Sequence, residues 1–177
     1  MARREPTGGE RLEDARRDLV EGAHVVVARE ALSAVTEAAL WRGIAELATA
    51  RHLNEVGAAI EDQVRAAGDY GILTDYVGHG IGRTMHEEPP VFNYRVKQKG
   101  PAVRPGLVVA IEPMIVAGAV DTFIRDDEWT VTTSDGADSA HWEHSVAVHD
   151  DGIWVLTAED GGAAGLAPFG VSPVPFA

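Results

Sequence analysis

The chain has 177 residues, with 15 basic and 28 acidic side chains, so its formal net charge is −13. This acidic balance argues against a broad nucleic-acid or anionic-membrane surface, and we expect neither partner. The chain has no cysteine, which excludes disulfides and thiolate metal sites and is typical of a cytoplasmic protein. The sequence has neither an apolar run near the ~20 residues of a membrane span nor a signal-peptide core. We therefore expect a cytoplasmic globular protein.

Two helices are predicted in the first part of the chain. Residues 1–22 are polar and charge-mixed, which predicts a weakly structured N-terminal segment. From about 29 to 50, apolar residues recur at intervals of three and four, the spacing of one helix face. A second helix is predicted from Asn54, as its N-cap, to about Ala67, with Gly68 ending it.

The second part of the chain has the pattern of strands and turns. After Gly71, short runs rich in valine and isoleucine alternate with Gly, Pro and Asp. Helices followed by strands favour an α+β domain. Residues 161–177 are rich in Gly and Pro, which predicts a disordered tail. The predicted strands are 72–77, 107–112, 114–117, 128–133, 139–148 and 153–157.

The segment 78–90 carries the densest group of candidate functional residues. Its glycines alternate with His79 and Ile81, so one face of an extended segment would carry no side chains, and His79 would project from the other face. A neutral imidazole is a good ligand for Mn, Fe, Co or Zn, and the nearby His86 could donate to a substrate. The alternative is a flexible turn with two surface histidines.

Two carboxylates have comparable settings at the ends of apolar strands. Glu112 ends such a run, where a carboxylate is costly unless it is paired, metal-bound or turned into water. Glu143 leads into another, and strand alternation places it on the face of Ser145 and Ala147, opposite His144. One histidine and two carboxylates suit a divalent ion that generates hydroxide from water.

The order of these motifs resembles the C-terminal half of type I methionine aminopeptidases. The matching segments are Gly-His-Gly-Ile-Gly at 78–82, His-Glu-Glu-Pro at 86–89, and the segments 111–114, 128–131 and 140–145. The resemblance covers residues 34–158. It implies an α+β, partial pita-bread fold, in which two helices pack on a curved antiparallel sheet. The catalytic-like domain would span residues 23–160, after a poorly matching segment over 1–22.

The resemblance also implies roles for individual residues. The family uses divalent metal to remove the initiator methionine from peptides. By this resemblance, His79, Glu112 and Glu143 would be metal ligands, with Glu112 the general base and Glu143 a bridging carboxylate. His86 would stabilise the developing oxyanion.

The pocket and the remaining ligands are less completely matched. Met85 and Trp129 stand where the family has methionine-pocket residues. Almost all of the family's preceding half is absent, and Asp14 is the one candidate for its two metal-binding aspartates; the alternative for Asp14 is a charged surface segment. We therefore expect one divalent ion, Mn, Fe, Co or Zn. His141 and His144 are expected to point away from it.

Three functions remain open at this point. The first is a truncated metal-dependent aminopeptidase that acts on peptide N-termini. The second is a repurposed enzyme that uses the two histidines and two glutamates in another small-molecule reaction, in a specialised biosynthetic pathway. The third is a non-catalytic peptide-binding module. Loss of a companion half would leave an open sheet edge or an apolar face, so a homodimer or larger homo-oligomer is expected.

Overall fold

The computed structural model describes residues 8–176, with the side chains of Glu13 and of residues 16–176. The helices are α1 (Gly8–Leu47), α2 (Asn54–Ala67) and α3 (Ala163–Leu166), and a 3₁₀ turn, Ala167–Phe169, follows α3. The strands are β1 (Gly71–Ile72), β2 (Gly78–Gly80), β3 (Glu87–Val91), β4 (Val108–Ile111), β5 (Met114–Val116), β6 (Thr122–Ile124), β7 (Val131–Thr133), β8 (Ser139–His141), β9 (His144–His149) and β10 (Gly152–Val155). The chain divides into two compact units between Ala31 and Leu32.

The first unit contains the beginning of α1. The expectation of a weakly structured segment over 1–22 is wrong from Gly8 onward, since the helix starts there. The residues that follow are mostly Glu, Arg, Leu and Ala, which are good helix formers, and no proline interrupts α1. All described side chains up to Ala31 are exposed. Within the described residues, no helix is both long enough and apolar enough to cross a membrane.

In the second unit, helices and sheet share one apolar core. Leu40 and Ile44 of α1 and Ile60 and Val64 of α2 are fully buried, at the spacing that the sequence predicted. Both helices are therefore confirmed, with α2 ending before Gly68. The prediction of Asn54 as the N-cap is wrong. Leu53 holds that position, and the side-chain amide of Asn54 donates to the carbonyl oxygen of Gln98 instead.

All strand pairs in the described residues are antiparallel. A five-stranded sheet has the order β10-β9-β4-β2-β3, and a three-stranded sheet has the order β1-β5-β8. β6 and β7 form a separate two-stranded hairpin. The centre of the five-stranded sheet is buried, and Val109, Ile111 and Val146 belong to the core. This sheet and the three-stranded sheet carry the candidate functional residues.

Several strands differ from their predicted extents. Of the segment 72–77, only Ile72 is strand, at the end of β1, and 139–148 divides into β8 and β9 on either side of residues 142 and 143. Only Val131–Thr133 is strand within 128–133, because the Asp127 carboxylate accepts the backbone N–H groups of Trp129 and Thr130 and closes a turn. β3 and β6 were not predicted, since they are short and contain proline or exposed residues. β2 was predicted only as an extended segment around His79.

The disordered tail predicted over 161–177 is also wrong. Residues 163–169 are helical, and Leu166 is fully buried in the core. The backbone N–H of Val174 donates to Ile153 O, which ties the segment to β10. Tail composition indicated disorder, but a few well-spaced apolar side chains are enough to hold the segment on the domain.

Candidate metal centre

The centre is built around β2, a strand whose glycines allow close main-chain approach. A Cβ atom on Gly78 would collide with the carbonyl oxygen of Ala110, and one on Gly80 with that of Glu88. β2 therefore fits tightly between β3 and β4 only because these positions lack side chains. His79 is its one projecting side chain, as expected, and lies opposite Ala110.

Strand register brings His79, Glu112 and Glu143 together. β2, β4 and β9 are adjacent, and Ile111 pairs with His144, so Glu112 just after β4 lies across from Glu143 just before β9. One ligand atom from each of the three side chains lies within 4.8 Å of the others. The structure thus gathers three residues that the sequence separates widely.

The chemistry of these donors fits a divalent cation. The Nδ1 atom of His79 lies 3.0 Å from the carbonyl oxygen of Gly80, and since a carbonyl only accepts, Nδ1 donates there. This leaves Nε2 facing Glu112 Oε1, 3.4 Å away. A cation between these two atoms would be bound by one nitrogen and one oxygen donor.

His141 is a neighbour of the centre that the sequence analysis placed wrongly. Its Nε2 atom lies 3.4 Å from Glu112 Oε2. The hydrogen bond to Glu112 raises the pKa of His141 above its ordinary value; the charges of Glu112 and Glu143 add to this, and partial burial opposes it. Alternation did contain the signal, because His141 is two residues before Glu143 and hence on the same face.

His144 points away from the centre, as expected. Its ring packs against Trp41 with centroids 4.7 Å apart, and its Nδ1 lies 2.7 Å from the Thr157 hydroxyl. Burial lowers the pKa of His144, while the charges of Glu37 and Glu143 oppose that shift. These contacts make it a packing residue.

Two further side chains border the centre. The His86 ring lies against that of His79, with centroids 4.3 Å apart, and is exposed. Asn93 is fully buried, and its Nδ2 donates to the carbonyl oxygens of Tyr76 and Glu112. Asn93 therefore fixes the main chain at Glu112; sequence reasoning missed it because an isolated asparagine gives no pattern.

Other expected site residues are not gathered at the centre. Met85 is 70% exposed and Trp129 is 87% exposed. The side chain of Asp14 lies outside the described residues, so its proposed role as a ligand keeps its status as a prediction.

A cavity of about 240 Å³ adjoins the centre through His141. Its walls come from the segment after β1, from β5 and β8, and from the β6–β7 hairpin. Neither Met85 nor Trp129 belongs to them. The lining residues are Leu73, Tyr76, Met114, Thr122, Val131, Thr133, Ser139, Ala140 and His141.

Comparison with known proteins decides the family. The model of metallopeptidase family M24 matches residues 17–150. The chain belongs to metallopeptidase family M24. Over 135 residues it is 47% identical to methionine aminopeptidase 1 of Mycobacterium tuberculosis, which covers 73% of this chain and 51% of the relative. It is 39% identical over 123 residues to methionine aminopeptidase 1 of Bacillus subtilis, and this match covers 70% of this chain and 49% of the relative.

A solved methionine aminopeptidase structure confirms the fold. The crystal structure of methionine aminopeptidase from Rickettsia prowazekii superposes with a TM-score of 0.69 and 36% identity, covering 75% of this chain and 53% of that one. This M24 chain has the pita-bread fold, as the motifs predicted, and spans about half the length of the curated relatives it matches. Membership of a metallopeptidase family implies divalent metal, and His79, Glu112 and Glu143 form a group able to bind it.

Proposed function

We propose that this M24 chain is a metal-dependent aminopeptidase that removes N-terminal methionine from peptides in the cytoplasm. The observation that carries the proposal is the convergence of His79, Glu112 and Glu143 at three adjacent strands. These three residues would hold one divalent ion, Mn, Fe, Co or Zn. The relatives named methionine aminopeptidase supply the reaction class, and the half-length match makes it a proposal for this chain.

The side chains divide the work as follows. A bound divalent ion supplies Lewis acidity, which activates water and polarises the scissile carbonyl. Glu112 accepts the proton of the attacking water, and Asn93 holds the main chain that positions it. His86, exposed beside His79, donates to the carbonyl oxygen as negative charge develops there.

The test combines metal binding with turnover. Purified protein would be titrated with Mn²⁺ by calorimetry and then incubated with the tripeptide Met-Ala-Ser, with released methionine measured by mass spectrometry. We expect one ion per chain and methionine release, both lost in Glu112→Gln. Glu159→Gln is the matched control, because Glu159 is an exposed carboxylate outside the cluster.

The other outcomes separate the remaining functions. A protein that binds neither Mn²⁺, Fe²⁺, Co²⁺ nor Zn²⁺ and releases no methionine would overturn the proposal. Retained binding of Met-Ala-Ser in Glu112→Gln without turnover in the parent protein would indicate a peptide-binding module. Metal binding with neither peptide binding nor turnover would favour a different small-molecule reaction.

We also propose that the chain forms a homodimer through the exposed part of α1. Leu19, Val20, Ala23, Val26 and Val27 share one face of this helix, and the four larger ones are exposed. Their spacing is symmetric about Ala23, so an antiparallel copy would place Leu19 against Val27 and Val20 against Val26. An apolar face of this length favours burial against a complementary surface.

Charge supports the antiparallel arrangement with a second copy. Arg16 and Glu30 extend the same face at opposite ends, at equal distances from Ala23. Antiparallel pairing sets Arg16 against Glu30 of the copy, whereas parallel pairing sets like charges together. The apolar face and its ends therefore match a second copy of this helix.

Size-exclusion chromatography with light scattering tests the dimer. We expect twice the chain mass for the parent protein and a monomer for Val26→Glu. Val25→Glu is the matched control, since Val25 is also exposed but lies on the opposite side of the helix. A parent monomer, or equal dissociation by both substitutions, would contradict the interface.

A further inference from the structure

The outer edge of β8 runs directly to the metal centre. β8 pairs only with β5 among the described strands. The ladder continues through the N–H of Trp142 to Pro113 O and through the N–H of Ala117 to Asp138 O. Bonded residues alternate in antiparallel pairs, so Ser139 and His141 direct their main-chain groups to the outer edge. Both residues are exposed.

The cavity beside this edge has the size and lining for one apolar side chain. Its volume of about 240 Å³ lies below the ~300–1,000 Å³ of typical small-molecule pockets. Leu73, Met114 and Val131 contribute apolar surface, and Ser139 and His141 of the edge itself belong to its wall. An extended peptide could therefore place its backbone along the edge of β8 and one side chain in the cavity at the same time.

Charge fixes the direction of an occupant. Glu112 and Glu143 lie beyond the His141 end of β8, with Glu112 Oε2 in contact with His141. In the metal-free protein, an N-terminal amine is favoured next to these carboxylates, and the chain as a whole has a net charge of −13. A peptide that begins at His141 and runs toward Ser139 is antiparallel to β8.

We infer that peptides bind this protein as an added antiparallel strand on β8, with the side chain of their first residue in the adjoining cavity. The inference rests on the proposed function for its substrate class, peptide N-termini, and adds how they are recognised. Main-chain hydrogen bonds give affinity without regard to sequence, and the cavity selects a large apolar first residue. Residues one and three of the peptide face His141 and Ser139.

Strand alternation supplies a sharp test that needs no change to the protein. Binding of Met-Ala-Ser would be measured by calorimetry in excess EDTA, where metal-dependent turnover cannot occur. N-methylation of the third residue removes a hydrogen bond to Ser139, and we expect about fivefold weaker binding. N-methylation of the second residue is the matched control, because its N–H points away from β8 and affinity should change less than about twofold.

The cavity is tested by the first residue. Met-Ala-Ser should bind about tenfold more tightly than Gly-Ala-Ser, since one apolar side chain leaves water. Val131→Trp should remove this preference by filling the cavity, whereas Val131→Thr, of similar shape, should retain most of it. Val131 is partly exposed, which limits the effect of either substitution on folding.

The outcomes for this inference and for the proposed function are separable. Equal binding of both N-methyl peptides, equal binding of the Met and Gly peptides, or no peptide binding would overturn the strand-addition inference. The expected binding pattern without methionine release in Mn²⁺ would support the inference and overturn the hydrolytic function. Methionine release together with equal binding of the two N-methyl peptides would support the hydrolytic function and overturn the strand-addition inference.

Discussion

The five-stranded sheet and the β6–β7 hairpin order their residues by different means. In the sheet, His79 is held by main-chain packing so close that its flanking glycines admit no Cβ atom. In the hairpin, Phe123 and Ile124 are exposed, and Trp129 at the tip is almost entirely so. The residues that could bind metal thus stand where the main chain is tightly packed, and the large apolar side chains of the hairpin stand where solvent reaches them.

The hairpin compensates for its exposure with aspartate side chains. The Asp127 carboxylate accepts from the backbone of Trp129 and from both the backbone and hydroxyl of Thr130. Asp135 accepts from the backbone N–H groups of Ala119 and Ala137 at the base. A two-stranded hairpin is only marginally stable by itself, so these local bonds determine its shape.

The largest effect should come from breaking the sheet at Gly80. An alanine there would meet the carbonyl oxygen of Glu88, which has little room to move within the β2–β3 pair. We expect Gly80→Ala to lower the free energy of unfolding by about 3 kcal/mol. Denaturant titration followed by circular dichroism would measure it, and a loss below about 1 kcal/mol would contradict the tight packing.

A smaller loss of stability is expected for a glycine-to-alanine substitution at the base of the hairpin. Gly136 has φ of +75°, but a Cβ atom there would meet nothing within 4 Å. Gly136→Ala should therefore cost only the backbone strain, about 1–2 kcal/mol. The same denaturant titration applies, and a cost equal to that of Gly80→Ala would remove the distinction between the regions.

The tip of the hairpin should respond to pH through Asp127. The Thr130 hydroxyl and the N–H groups of Thr130 and Trp129 hold the pKa of Asp127 below its ordinary value. Its stabilising effect is therefore complete above the unfolded-state pKa, ~3.9, and is lost as pH falls through the folded-state pKa. Hydrogen exchange at Trp129 and Thr130 should be faster in Asp127→Asn at pH 6.

The control for that measurement is the same pair of proteins in acid. Below the folded-state pKa of Asp127, the parent and Asp127→Asn should show equal protection at the tip, after correction for intrinsic exchange rates. A difference that persists unchanged in acid would show that the carboxylate charge is not responsible.

The smallest effect on folding is expected at Trp129. Because its side chain is almost fully exposed, Trp129→Ala should change the free energy of unfolding by less than about 0.5 kcal/mol. A role in the methionine pocket predicts a raised KM for Met-Ala-Ser in the same variant. An unchanged KM would assign the tip no part in peptide recognition, and a large stability loss would contradict its exposure.

The candidate ligands could be predicted from the sequence because each has a local signal. Alternating glycines require an extended strand around His79, and carboxylates at the ends of apolar runs mark Glu112 and Glu143. Strand register brings the three side chains together, but only the resemblance predicted which strands are neighbours.

The features that were missed depend on contacts between distant parts of the chain. Burial of Leu166 against the core cannot be seen in a stretch whose composition is mainly Gly, Pro and Ala. The bond from Asn93 to Glu112 joins residues on different elements. The turn closed by Asp127 is local, but it was also missed. A hydrogen bond from the backbone to a side chain ends a strand without altering the alternation of apolar and polar residues in the sequence.

The arrangement of the three candidate ligands at β2, β4 and β9 has a mechanical consequence. His79 lies on β2, Glu112 directly follows β4 and Glu143 directly precedes β9, and a long stretch of chain separates each from the next. An ion held by all three would act as a removable cross-link that closes two loops and stabilises the folded state by mass action. Metal supply would then govern how long the folded chain survives heat or proteolysis, apart from any reaction it catalyses.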